Sequence, residues 1–422
     1  MTGLLADLQW RGFVHAATPG LEAHLAGGSI TAYCGFDPTA SSLQLGNLIP
    51  LMLLNHFQLA GHRPIVLMGG GTGLIGDPSG KRAERPLLSK DDLRANLERQ
   101  RAQMGRFLDF TGDRALLRDN AEWLVPAGLV DFLRDTGKHF TINLMLQKES
   151  VKARLDSGLS FTEFSYMLLQ AYDYLQLFER EQCTLQVGGS DQWGNITAGV
   201  DLVRRIKGAE VHGLVAPLIT TAAGAKFGKS ETGAIYLDPA LTSPYKFYQF
   251  WVNTDDRDVG TYLKLFSLRP RHSADGIDAL LEAHQKDPAK REAQRALANE
   301  VTERVHGKPV MESVAAASAI LFSEWDPKQV VPGAFDVLAG EIPKATVSTV
   351  DGLFLVDALV SVGMVKSKSE ARRQIEQGGV YVNLQRETDV NRALGAADLL
   401  AGRNVLLRKG KKEYGLLQVG QR

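Results

Sequence analysis

Only two cysteines, Cys34 and Cys183, occur in 422 residues, and neither belongs to a Cys/His cluster with zinc-ligand spacing. A disulfide framework and a structural zinc site are thereby excluded, and a reducing compartment fits best. No stretch approaches the ~20 apolar residues that a membrane helix needs. The segment Met1–Trp10 lacks the basic-then-apolar order of a secretory signal. The expectation is a soluble, cytoplasmic protein with no membrane partner. An excess of one charge is missing as well: Lys+Arg and Asp+Glu are 48 each. The total therefore says nothing about partners, and only the distribution of charge can. Short repeats and low-complexity tracts are also lacking. What remains is 44% hydrophobic and 23% charged residues, a globular composition in a chain long enough for two or three domains.

The first organised unit covers 30–75. Ile30–Cys34 reads as a strand and Leu45–Ala60 as a helix with apolar residues at helical spacing, Pro50 falling in its first turns. Pro64–Met68 reads as a second strand, so the unit is a parallel crossover. The pattern recurs with strand Leu185–Val187, helix Ile196–Lys207 and strand Leu214–Ile219. Helical sequence lies between the units and again from 245 to Trp325. Pro327, Pro332 and Pro343 mark 326–347 as a linker. The tail from Thr349 carries twelve Lys/Arg against eight Asp/Glu, a net of +4, so it is the basic end of a neutral chain.

Four segments have chemical character. The turn Gly35-Phe36-Asp37-Pro38-Thr39 leads to Gln44-Leu45-Gly46-Asn47, where free N–H groups at a helix start favour phosphate. Gly69-Gly70-Gly71 follows a parallel strand and runs on to Asp77-Pro78-Ser79-Gly80, a place where backbone can approach a ligand. It is neither a P-loop nor a GxGxxG fingerprint. Lys226-Phe227-Gly228-Lys229-Ser230 lies in a small-residue stretch, Thr220 to Gly233, which reads as a mobile loop able to bring two ammonium groups to a triphosphate. Tyr166, Gln170 and Asp173, spaced i, i+4, i+7, form a polar stripe on an apolar helix. Such a stripe faces either solvent or a polar pocket.

A glycine-containing helix start followed far downstream by a Lys-x-x-Lys-Ser loop is the order of the two signatures of class I aminoacyl-tRNA synthetases. Tyr33–Thr39, Gly76–Gly80, Ser165–Asp173 and Gly188–Asn195 closely resemble the bacterial tyrosyl-tRNA synthetases, nearly end to end and most strongly from Tyr33 to Asp258. The resemblance implies a doubly wound, Rossmann-like parallel sheet as catalytic domain (1–222), with a helical dimerisation insertion at about 115–165. A loop and helical domain (223–325), a linker (326–347) and a small C-terminal α+β RNA-binding domain (348–422) would follow. Partners are then tRNA(Tyr), L-tyrosine, ATP and a second subunit, with Mg²⁺ accompanying ATP and no protein-held metal.

By the same resemblance, Asp173 and Tyr33 bind the phenol hydroxyl, while Tyr166, Gln170 and Asp77 hold the α-ammonium. Gly35, Asp37, Thr39, Gly46, Gly189 and Asp191 contact the adenylate, and Gln192 lies near the reacting carboxylate. Lys81, Arg85, Lys226, Lys229 and Ser230 face the phosphates. An Asp acceptor beside a Tyr hydroxyl complements a phenol and leaves buried groups unpaired against phenylalanine. It suits an indole, which only donates, less well. The first signature departs from the usual pattern: Gln44 and Asn47 stand at positions where histidine is common. Gln44 donates a hydrogen bond but never carries charge, so weaker transition-state stabilisation, by ~1 kcal/mol, is expected. That departure also admits a catalytically impaired RNA-binding paralogue of the same family as the alternative, although both loop lysines are present.

Overall fold

Six short segments, most of them largely buried and rich in Val, Leu, Ile and aromatic residues, line up as the central sheet of a computed structural model that describes residues 3–79, 88–152, 158–230, 233–322, 325 and 331–420. The strands are β1 (Ala16–Ala17), β2 (Thr31–Phe36), β3 (Arg63–Met68), β4 (Leu116–Asp119), β5 (Cys183–Gly189) and β6 (His212–Ala216), in the order β1-β6-β5-β2-β3-β4. β2 through β6 are mutually parallel, and only β1 runs antiparallel to its neighbour. The chain winds outward from β2 to β4, crosses back through the helix Phe161–Glu181, and winds the other way through β5 and β6. Strand order thus reverses between β2 and β5, where an open parallel sheet offers a ligand crevice beyond its carboxyl ends.

The helix Leu48–Leu59 is apolar on nearly every face and nine of its residues are buried, as expected of a helix inside a layered core. A 3₁₀ turn, Leu45–Asn47, precedes it. Pro50 is the third helical residue, where no intrahelical N–H bond is lost. On the next crossover the helix Trp193–Lys207 packs Ile196 onto β6 so closely that a Cβ at Gly213 would lie 2.5 Å from Ile196 Cγ2.

Four expectations need correction. Leu116–Asp119 pairs with β3, so the insertion between the halves starts after the sheet rather than at about 115; its apolar Leu116-Leu117 suits an edge strand. Phe161 to Ser165 likewise belong to the long helix. The helical sequence 223–325 is not one body: 254–297 groups with the sheet, while 243–253 and 298–422 form a second compact unit. In that second unit the helix Pro244–Val252 bonds Gln249 Nε2 to Ser318 Oγ at 2.8 Å and Tyr248 Oη to Asn299 Oδ1 at 3.1 Å. Finally, the described part of 326–347 is ordered secondary structure: a helix Pro332–Glu341 and a strand Lys344–Val347. Pro332 occupies the first helical turn, which proline starts rather than breaks.

A two-stranded ribbon, β7 (Lys229–Ser230) with β8 (Gly233–Ala234), follows the central sheet. In the second unit β9 (Lys344–Val347), β10 (Val380–Val382), β11 (Gln385–Glu387), β12 (Asn404–Lys409) and β13 (Glu413–Val419) form a sheet in the order β11-β10-β12-β13-β9. The helices Leu355–Ser361 and Lys368–Glu376 cover one face, burying Leu355, Leu359, Ala371 and Ile375 against Val380, Val405, Leu407 and Leu417. Among the described residues, no helix is long and apolar enough to cross a membrane.

Gly213→Ala should overpack the sheet–helix layer and destabilise it by about 1–3 kcal/mol. The check is a fall in the urea midpoint with an unchanged slope.

Candidate active site

The crevice is built from the segments just past the carboxyl ends of β2, β3, β4 and β5. Past β2 comes Asp37, past β3 the run Gly69-Gly70-Gly71, past β4 Asn120, and past β5 the turn Ser190-Asp191-Gln192. The glycine run has a packing reason. A Cβ on Gly69 would lie 2.1 Å from Asp37 Oδ1, and one on Gly70 2.2 Å from Asp119 Oδ1. These glycines let the Asp37 and Asp119 carboxylates approach the backbone.

On the floor lie Tyr33 and Asp173, 1% and 2% exposed. Asp173 Oδ1 accepts from Trp123 Nε1 at 2.7 Å and Oδ2 from Asn120 Nδ2 at 3.0 Å. Its carboxyl is pushed up to about 8, chiefly by burial, against the pull of those two donors. The Tyr33 hydroxyl is buried and has no hydrogen-bond partner among the described residues. Burial, and next the neighbouring Asp173, hold its proton well above the usual phenol range. A buried, unspent hydroxyl beside a carboxylate is a recognition pair waiting for a third group that both donates and accepts.

Asn120 ties this floor to the wall. Its Nδ2 also donates to Thr72 Oγ1 at 2.9 Å, and its Oδ1 accepts from Gly71 N at 2.7 Å. Thr72 Oγ1 in turn donates to Asp37 Oδ1 at 2.8 Å, while Tyr166 Oη donates to Asp37 Oδ2 at 2.8 Å. On the opposite wall Gln192 Nε2 donates to Asp77 Oδ2 at 2.6 Å, and Ser79 N donates to Asp77 Oδ1 at 2.8 Å. Asn195 Nδ2 donates to Gln170 Oε1 at 3.0 Å. The polar stripe Tyr166, Gln170, Asp173 therefore faces the pocket. The donors named here for Asp37 and Asp77 are hydroxyls and amides, an arrangement that suits a cation such as an ammonium. Asp191, raised by burial and by Asp77, also feels Lys226, which lowers it again.

The rim is more open. Gly35, Thr39 and Gly46 are exposed, with open space where a Cβ of Gly35 or Gly46 would stand. The Thr39 N–H closes a turn onto Asp37 O at 2.8 Å. Gly189 is half-buried, and a Cβ there would meet Asp191 Oδ1 at 2.5 Å. Asn47 is already engaged, its Oδ1 accepting from the Gln44 N–H at 2.9 Å. The downstream loop sits directly against this helix start. Leu45 N donates to Ile235 O at 3.1 Å and Ile235 N to Gly228 O at 3.0 Å. Gly228, at φ +79°, would place a Cβ 3.0 Å from that of Leu45, so only glycine fits. Phe227 is buried, stacked on Phe266 with ring centroids 5.1 Å apart and edge-on to Tyr262 at 5.0 Å. The middle of a loop read as mobile is thus pinned, while Lys226 and Lys229 on either side are exposed. Ser230 contributes its backbone to β7. Lys81 and Arg85 lie outside the described residues.

Sequence reasoning missed Thr72, Asn120, Trp123 and Asn195. Asn120 and Trp123 sit just past the carboxyl end of β4, and that position was the available signal, hidden because β4 was not read as a strand.

The chain belongs to the class I tRNA synthetases: the family described as "tRNA synthetases class I (W and Y)" matches residues 25–323. A second model, "Tyrosine--tRNA ligase SYY-like C-terminal domain", matches 335–417. Among curated relatives, the Tyrosine--tRNA ligase of Anaeromyxobacter dehalogenans strain 2CP-1 is 54% identical over 422 residues, covering 99% of this chain and 100% of its own. That of Roseiflexus castenholzii is 50% identical over 427 residues, covering 99% and 100%. A solved structure, the C-terminally truncated mitochondrial tyrosyl-tRNA synthetase of Aspergillus nidulans, superposes with a TM-score of 0.69 at 32% identity over 76% of this chain and 95% of its own.

Because the folded Asp173 carboxyl titrates near 8 and an unfolded one near 3.8, the native state holds an extra proton between those values and loses stability as pH rises through them. Relative to Asp173→Asn, the wild type should become progressively less stable from pH 4 to pH 8, read from urea midpoints across that range. A constant difference would mean that Asp173 is ionised throughout.

Proposed function

We propose that this chain activates L-tyrosine with ATP and transfers the tyrosyl group to the 3′-terminal adenosine of tRNA(Tyr). The observation that carries the reading is the orphan Tyr33 hydroxyl beside the buried Asp173 carboxylate. A phenol donates its proton to Asp173 and accepts from Tyr33, satisfying both. Phenylalanine leaves the Tyr33 hydroxyl unpaired and gives Asp173 no further donor, and an indole N–H meets only the acceptor. Near the middle of the crevice, Asp77, Gln170 and Tyr166 offer oxygens to the α-ammonium, and Gln192 is within reach of the carboxylate end. The nucleotide takes the exposed rim: Gly35, Asp37, Thr39, Gly46 and Gly189 border the adenosine, with Asp191 on the ribose.

In the first step a carboxylate oxygen of tyrosine attacks the α-phosphorus, the bond to the bridging oxygen breaks, and pyrophosphate leaves. A carboxylate is already a nucleophile, so no general base is required. Rate comes from positioning and from positive charge on the departing phosphates. Lys226 and Lys229 supply that charge, with Lys81 and Arg85 in the same role and Gln44 and Asn47 donating uncharged hydrogen bonds. Ser230 belongs to the same loop. Mg²⁺ arrives with the ATP, held largely by phosphates and water. In the second step a terminal ribose hydroxyl of the tRNA attacks the carbonyl carbon and AMP departs.

The remaining partners follow from surfaces. Lys366, Lys368, Arg372, Arg373, Lys411 and Lys412 are exposed in the C-terminal region and suit tRNA phosphates. Leu129 and Val130 are 73% and 74% exposed on the helix Leu129–Asp135, an apolar face that supports a homodimer. The cytoplasm is the compartment that this reaction and the two buried, reduced cysteines fit.

Tyrosine-dependent ATP–pyrophosphate exchange tests the reading, and its absence with tyrosine would overturn it. Lys226→Ala or Lys229→Ala should slow adenylate formation by ~10²-fold while tyrosine affinity stays within about twofold of wild type. Gln44→His should speed the same step. Tyr33→Phe should weaken tyrosine by about 1 kcal/mol and leave phenylalanine unaffected, read from the two exchange KM values.

A further inference from the structure

The strand register of the C-terminal sheet creates a row of side chains that the tyrosine chemistry does not use. Tyr381 of β10 stands directly opposite Arg386 of β11 on one side and Arg408 of β12 on the other, and Arg408 stands opposite Tyr414 of β13. Directly opposed residues share a sheet face. The row therefore reads Arg386, Tyr381, Arg408, Tyr414 across four strands, on the face opposite the core residues Val380, Val405 and Leu407. Its members are not loosely solvated charges. The Arg408 guanidinium lies 3.8 Å from the centre of the Tyr381 ring, a stacked distance. Arg386 is fixed at the row's end by its Nε bond to Gly378 O at 2.8 Å. Tyr381, Arg408 and Tyr414 are each partly exposed. Arg408 Nε is buried with no hydrogen-bond partner among the described residues, so an oriented donor remains unspent beside the stack. The hairpin joining β12 to β13 adds the exposed Lys411 and Lys412 at the edge of the same row.

Flat π surfaces alternating with planar cations, bordered by lysines, is the chemistry that receives an unpaired nucleobase: the base stacks on a ring or a guanidinium plane while the lysines take its phosphates. We propose that the Tyr381–Arg408 stack is a platform for one unpaired base of an RNA. Its ligand is therefore recognised there by stacking in addition to the phosphate contacts of the basic surface. The proposal rests on the reading of the chain as a tRNA-charging enzyme, since that reading supplies the RNA.

The test uses the full-length protein and a tRNA(Tyr) transcript, with Kd measured at several salt concentrations and tyrosine-dependent ATP–pyrophosphate exchange measured in parallel. Tyr381→Leu should weaken RNA binding roughly 5- to 150-fold, the range for one lost base–aromatic stack. Log Kd should keep its dependence on log salt, because no phosphate contact is lost. Tyr381→Phe, which keeps the ring, should bind within twofold of wild type. Arg408→Lys, which keeps the charge but not the plane, should weaken binding with the salt slope intact. This conservative change also guards against a Tyr381→Leu domain that fails to fold. All variants should retain wild-type exchange. Wild-type affinity in Arg408→Lys, or a lowered salt slope in place of a constant one, would overturn the platform and leave only a phosphate grip. Failure of exchange in the wild-type protein would instead sink the tyrosine reading, with the RNA titration still deciding on the platform.

Discussion

A carboxyl group buried with no cation beside it among the described residues is costly to ionise, and the centre of this protein is organised around holding one. Asp173 survives at 2% exposure because two N–H donors, Asn120 and Trp123, are delivered to it by the segment just past β4. That delivery explains otherwise unrelated features. The chain must carry an outer strand past β3 before crossing back. Asn120 must reach Gly71 and Thr72, which requires backbone without side chains at the end of β3. Thr72 must then hold Asp37, which Tyr166 holds from the other side. The network is continuous from the Tyr33–Asp173 floor to Asp37 beside the rim.

The division of charge stems from the same constraint. Inside the crevice Asp37 and Asp77 are bonded to amides and hydroxyls, which leaves their negative charge to the ammonium proposed for this place. Among the described residues, exposed positive charge stands on the flanks of the downstream loop, at Lys226 and Lys229. Lys226 reaches inward electrostatically, to Asp191. An enzyme handling a zwitterion and a triphosphate together gains from this separation, because lysines placed inside would neutralise the ammonium site before substrate arrived.

Much of this was legible in the sequence and the remainder was hidden for definable reasons. The two parallel crossovers, the switch between them and the polar stripe of Tyr166, Gln170 and Asp173 depend on local periodicity, which a sequence displays. The partners of Asp173 lie about fifty positions away, and nothing local marks Trp123 as a donor rather than core. Prolines misled at 326–347, since Pro332 opens a helix instead of ending one. The glycine run was read as room for ligand when it is room for Asp37 and Asp119. The Arg–Tyr row could not be read at all, because its members come from four strands and meet only through register.

The seat of Phe227 bears on how such a protein changes over time. The ring is packed on Tyr262 and Phe266, so the two flanking ammonium groups take their position from the helix Val259–Phe266. A substitution at Tyr262 or Phe266 changes the seat of Phe227 and, through it, the support of both lysines. Sequence drift in an apparently neutral stretch is thereby coupled to the phosphate chemistry proposed for these lysines, and two descendants with identical crevices can differ in turnover.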